Sequence, residues 1–318
     1  MRIGVDLSKR PLGDGSREKR ARMLAELGEF LRSRYGVSVD ELCEKEGRVV
    51  SRHLVDFGQF LFEDNRSLGD YILSILAVAD VERTLRRHLQ PAWDLASTWQ
   101  ALTPAENHVP TPPVCLLAMV SLCLCWNWRS MAAYLLLSFT GLLRPGETLG
   151  LRRCDILLPS DMMSTRRCFY IIVRRPKMRR IAARREHVRV SDPVVLSVME
   201  QWLQGASSND RLFPISSSYL RVLHDHLVGW LGISCLDGTG LTPASHRAGG
   251  ATLMFRECNS IEYVRWHGRW ACTSRTLEVY VQEVAALTVL PNLSADSRAR
   301  IAFMAHASIS LLREALAP

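Results

Sequence analysis

The sequence predicts a mainly α protein with a small antiparallel β-sheet, an α+β fold in two parts. Three observations predict it. Apolar residues recur at helical spacing through most of the chain. One stretch departs from that spacing: Phe169-Tyr170-Ile171-Ile172-Val173 and His187-Val188-Arg189-Val190 are β-type runs. Three prolines, Pro110, Pro112 and Pro113, disfavour helix and sheet alike between Val109 and Val114. At 318 residues, 47% of them hydrophobic, the chain is long enough for two units with their own cores.

The first helix runs from Arg17 to Arg34, with Met23, Leu24, Leu27, Phe30 and Leu31 on one face and Gly36 as its stop. Ser38 caps a short second helix, and Val50, Leu54, Phe57, Phe60 and Leu61 mark a third over Val49 to Phe62. A fourth spans Asp70 to Leu89 and ends before Pro91. These four make a helical module over residues 1–105, followed by a proline-rich linker, 106–113, and a second domain, 114–318.

The second domain opens with apolar helices over Val114 to Trp126 and Ser130 to Thr140. Asn127 and Arg129 break this apolar stretch, so two buried helices fit it better than one membrane span of about 20 residues. The two β runs form a hairpin whose long connection, Arg174 to Arg185, is dominated by basic residues. Helical character returns over Val194 to Leu203, Tyr219 to Leu231, Ser245 to Glu257 and Ile261 to Trp266, with a helical tail from Ser294 to Ala317.

Charge narrows the function. Forty Lys+Arg against thirty-two Asp+Glu leave +8, which favours a polyanionic partner. The nine cysteines (Cys43, Cys115, Cys123, Cys125, Cys154, Cys168, Cys235, Cys258 and Cys272) are scattered without metal-ligand spacing. An odd count with no secretory run at the N-terminus predicts reduced thiols and an intracellular setting. No metal or cofactor motif is present in the sequence.

Two phrases carry the chemistry. Arg144 lies in Ser138-Phe139-Thr140-Gly141-Leu142-Leu143-Arg144-Pro145-Gly146-Glu147, and Arg247 in Leu241-Thr242-Pro243-Ala244-Ser245-His246-Arg247-Ala248-Gly249-Gly250-Ala251-Thr252. Lys177 stands between them, and Tyr280 follows Gly268-Arg269-Trp270. Together these phrases resemble the tyrosine recombinase (phage integrase) family, in the variant carried by eukaryotic mobile elements. The resemblance implies a helical core-binding (SAM-like) domain and a DNA breaking-rejoining catalytic domain. It implies site-specific recombination or integration through a 3′-phosphotyrosyl intermediate, without cofactor, by a homo-oligomer on double-stranded DNA in the nucleus.

Breaking a phosphodiester without a metal needs a nucleophile, charge stabilisation on the non-bridging oxygens and a proton for the leaving oxygen. By resemblance, Arg144 and Arg247 clamp the phosphate, Lys177 is the proton donor and Tyr280 the nucleophile. Guanidinium suits the clamp because it donates parallel hydrogen bonds and stays charged. The plain alternatives are a helix-end arginine at 144 and a surface ion pair at 247. Glu147, three residues after Arg144, is placed to support its guanidinium, with an ordinary surface carboxylate as the alternative. Arg174, Arg175, Arg179, Arg180, Arg184 and Arg185 surround Lys177 and are expected to touch DNA phosphates.

The phrases depart from the family at two places. Ala244 stands where the family commonly has a histidine, leaving His246, beside Arg247, as the nearest imidazole. The later family histidine is displaced too, so His267 and Trp270 both compete to supply the missing donor. These departures leave a second reading, a catalytically impaired or domesticated DNA-binding protein of the same fold.

Overall fold

The computed structural model describes residues 13–103, 109–174, 176, 185–233, 240–271, 277 and 281–315. Its contacts divide the chain into two units, Met1–Ala105 and Glu106–Pro318. Helices dominate both, and one three-stranded antiparallel sheet is described.

In the first unit α1 spans Asp14–Tyr35 and stops at Gly36, whose φ of 66° is the left-handed conformation glycine adopts freely. Ser38 and Glu41 form a reciprocal capping box at the start of α2, Val39–Cys43. Next come α3, Gly47–Glu63, and α4, Leu68–Val81. The fourth helix is shorter than its periodicity predicts. A 3-10 turn over Arg83–His88 follows it, and a further helix, α5, covers Gln90–Leu102. Pro91 starts that helix: in a first turn the missing N–H has no intrahelical acceptor to lose. Met23, Leu27, Leu54, Phe57, Tyr71 and Trp99 are among the buried residues of this unit's core.

The second unit begins earlier than the sequence places it. Pro110, Thr111 and Pro112 are buried, and the Thr111 N–H donates to the Ser245 carbonyl at 3.1 Å. Residues 109–112 are therefore built into the unit, with Pro113 opening α6, Pro113–Cys125. Helix α7, Arg129–Thr140, is buried along most of its length and delivers the chain to α8, Pro145–Leu149. A strand the periodicity missed, β1 (Ile156–Leu157), pairs with β2 (Phe169–Val173), which pairs with β3 (Glu186–Val190) in register Phe169 to Val190. Two residues are too few to show an alternation.

Then follow α9 (Pro193–Trp202), α10 (Ser217–Leu231), α11 (Ser245–Cys258), α12 (Ile261–Gly268), α13 (Glu283–Thr288) and α14 (Ala295–Ala315). The last helix packs against α6, so the end of this unit closes on its beginning. Two glycines let α11 lie close to its neighbours, α7 and the segment before α6. A Cβ on Gly250 would run into the Phe139 carbonyl, and one on Gly249 into the Thr111 carbonyl. No described helix is long and apolar enough to cross a membrane.

Candidate active site

The turn after α7 is the first support of the site. Leu142 takes a φ of 46°, unusual for a branched side chain, and is completely buried. Arg144 then stands at the N-cap of α8 with Pro145 in the first turn. Glu147 reaches back twice: its Oε2 accepts from the Arg144 backbone N–H at 3.0 Å and its Oε1 from Arg144 Nη1 at 2.7 Å. The carboxylate is thus a local support of Arg144 and not a surface charge, being only 5% exposed.

Two more guanidiniums come to the same carboxylate. Arg269 Nη2 donates to Glu147 Oε2 at 2.8 Å, and Arg247 Nη1 lies 3.9 Å from that oxygen. Arg247, at the start of α11, is 2% exposed. Its Nη2 donates to the Gly268 carbonyl at 2.7 Å, and its guanidinium carbon lies 4.3 Å from the centre of the Trp270 ring. A desolvated cation against an indole face is a favourable pairing.

The Gly268-Arg269-Trp270 phrase has a physical meaning here. A Cβ on Gly268 would overlap the Trp270 ring, so only glycine lets the indole fold back under Arg247. Arg269 turns the chain with φ 60°, ending α12, and carries its side chain to three acceptors: Glu147, the Leu142 carbonyl at 3.2 Å and Glu186 Oε2 at 3.2 Å. Glu186 is the first residue of β3, where the basic connection returns to the sheet. Leu142, Ala251, Val264, Trp270 and Leu277 form a small apolar cluster in this region.

Burial pushes the Glu147 carboxyl up, but the charges of Arg269 and Arg144 and the Arg144 N–H outweigh it and hold it below the usual range. Three arginines against Glu147 and Glu186 leave a net positive place, suited to an oxyanion.

The two histidines take different positions. His267 lies on α12 with Nε2 3.2 Å from the Thr140 carbonyl, to which it must donate, and burial lowers its pKa. It pins α12 to the end of α7, near enough to Arg269 for that charge to lower its pKa further. His246 is fully buried, its Nδ1 3.2 Å from Thr111 Oγ1 and its Nε2 3.1 Å from His224 Nε2. Burial takes His224 down to about 4 and His246 well below its ordinary value. Instead of facing the arginines, His246 ties the turn before Arg247 to α10 and to Thr111.

Of the basic connection, Arg174 pairs with the buried Asp155, and Arg185 is exposed at the foot of β3. Lys177, Arg175, Arg179, Arg180, Arg184 and Tyr280 lie outside the described residues. Sequence reasoning missed Arg269 and Glu186 as members of the site. Arg269 belongs to the Gly268-Arg269-Trp270 phrase, and Glu186 is the lone acid ending a basic run.

No family model matches the chain, and no curated protein matches it in sequence. Solved structures do match. The integrase of transposon Tn1549, in complex with transposon right-end DNA, aligns over 87% of this chain and 92% of its own, with TM-score 0.60 and 13% identity. The XerH site-specific recombinase, in a post-cleavage complex on a palindromic difH substrate, aligns over 83% and 75%, with TM-score 0.57 and 13% identity. A second complex of the Tn1549 integrase, with circular-intermediate DNA, covers 84% and 97% at TM-score 0.52 and 10% identity. At such identities the likeness is one of fold.

Proposed function

We propose that this chain is a tyrosine recombinase that cuts and rejoins duplex DNA through a phosphotyrosyl link. The observation that carries the proposal is the convergence of Arg144, Arg247 and Arg269 on Glu147 from separate elements. The likeness in fold to an integrase and a site-specific recombinase, both solved on DNA, supports the same reading.

In this reading Arg144 and Arg247 hold the non-bridging oxygens of the scissile phosphate, and Glu147 keeps both guanidiniums aimed while the site is empty of DNA. Trp270 backs Arg247 and supplies the polarisable wall that the missing family histidine leaves open. Tyr280 attacks phosphorus. The positive surroundings favour its phenolate, which has an ordinary pKa near 10. The bond to the 5′ oxygen breaks, and Lys177 donates a proton to that oxygen. A 5′ hydroxyl from another strand then attacks the phosphotyrosine, expels Tyr280 and completes the exchange. The energy of the broken phosphodiester is kept in the link, so neither metal nor nucleotide is needed.

Strand exchange between two duplexes calls for several copies of the chain on DNA. In a eukaryotic host that work is nuclear. A nicked suicide substrate carrying the target site tests the reaction: the unmodified chain forms a covalent protein–DNA adduct, whereas Tyr280→Phe forms none and binds DNA within about twofold of the unmodified chain. If the unmodified chain and Ala244→His both form no adduct, the DNA-binding reading without chemistry replaces this one.

A further inference from the structure

We propose that Arg152 and Arg211, with Arg174, form a second phosphate site, one that grips the DNA backbone beside the scissile phosphate. The proposal rests on the recombinase reading for its partner, and on the following geometry for its place. Arg152 and Arg211 are bridge partners between two otherwise irregular segments. The Arg153 N–H donates to the Asp210 carbonyl and the Leu212 N–H to the Leu151 carbonyl, both at 3.0 Å. Those two bonds flank the arginines, so Arg152 and Arg211 are a non-hydrogen-bonded antiparallel pair. In such a pair the Cα atoms are about 4.5 Å apart and the side chains leave on the same face. Two like charges placed directly opposite each other oppose folding. Both side chains are exposed; Arg152 Nη1 donates to the Asn209 carbonyl at 2.6 Å, which leaves its remaining donors for an anion that offsets the charge facing it.

A third guanidinium is built into the same place. Asp155, 2% exposed, accepts from the Arg152 backbone N–H at 2.9 Å through Oδ2, while its Oδ1 pairs with Arg174 Nε. One buried carboxylate therefore fixes both the backbone under Arg152 and the side chain of Arg174. The three arginines border a cavity of about 300 Å³ that is also lined by Gly146 and Glu147 of α8 and by Gly150 at its C-terminal end. That helix is the one that holds Arg144, so the cavity adjoins the arginine cluster through Glu147. Phosphodiester oxygens are the chemistry that fits: compact, anionic, and met by planar donors.

The test is the salt dependence of binding to duplex DNA, measured with Tyr280→Phe so that cleavage plays no part. Releasing one phosphate from its arginine flattens the plot of log affinity against log salt by about 0.9. Arg211→Ala is expected to flatten it by about that amount, Arg152→Ala likewise, and Arg211→Lys to restore most of the slope. Arg298→Ala, which removes an exposed charge on α14, is expected to leave it unchanged. An unaltered slope in both alanine variants overturns the proposal, as does an equal flattening in Arg298→Ala. A free-anion site overturns it too. Its mark is inorganic phosphate raising the melting temperature of the unmodified chain but not of Arg211→Ala, while the DNA slope stays the same. The outcome is independent of catalysis. A chain that never forms an adduct yet loses slope in Arg211→Ala keeps this site and forfeits only the reaction.

Discussion

At Glu147 three guanidiniums meet one carboxylate that is almost out of reach of water, and only Arg269 has a second carboxylate, Glu186, among the described residues. Removing one partner from a buried ionic cluster leaves the others uncompensated, at a typical cost of several kcal/mol. Glu147→Gln is therefore expected to destabilise the second unit by roughly 3 kcal/mol in urea unfolding and to abolish adduct formation, even though the amide retains the shape. Because its folded pKa is depressed, the stability Glu147 contributes is present above the unfolded carboxyl value and disappears as pH falls through the folded one. The histidine pair acts at higher pH. His224 and His246 are kept neutral in the folded chain, so the unfolded chain takes up protons first as pH drops below 6.5. Stability is then lost between about 6.5 and about 4, where His224 itself titrates. Unfolding midpoints measured at pH 7.5 and pH 5 should differ clearly for the unmodified chain. They should differ less for His224→Gln, which cannot titrate.

Among the elements, the α7–α11 contact is the one that sequence pattern describes least well. Gly249 and Gly250 have no apolar side chain, yet they set how near Arg247 stands to the Arg144 turn. Gly250→Ala places a methyl group against backbone that has no rotamer to yield. It is expected to destabilise by at least about 3 kcal/mol, the upper end for overpacking, and to lower phosphate affinity at the site. The strands β2 and β3 and most of the helices were readable from periodicity, because each buries one face. Helix α5 was not, since Pro91 reads as a stop until the chain ahead of it is seen to turn. The two arginine phrases were legible as words, but the meaning of Arg269 was not. Its role depends on a φ of 60° and on a carboxylate more than a hundred residues away, and neither leaves a mark on local spacing. His246 shows the reverse: being next to Arg247 in sequence sends its side chain round the helix to another set of partners, Thr111 and His224.

At the scale of the molecule, the first unit is built on its own core and the second on a large core with a smaller apolar cluster beside it. Unfolding should accordingly depart from a single transition. Calorimetry is expected to resolve two, with Gly250→Ala moving only the one that belongs to the second unit. A coincident shift of both transitions would falsify that independence. The packing of α14 on α6 has a consequence for the time at which this unit comes into being. A ribosome releases α6 nearly two hundred residues before α14, and contacts so distant in the chain form late. Arg144 and Glu147 emerge early, but Arg247, Arg269 and the helix that closes the unit must all follow. A chain that stops before α11 thus has Arg144 and Glu147 without the two guanidiniums that join them. The arginine cluster of this unit is therefore completed only after Arg269 has been made.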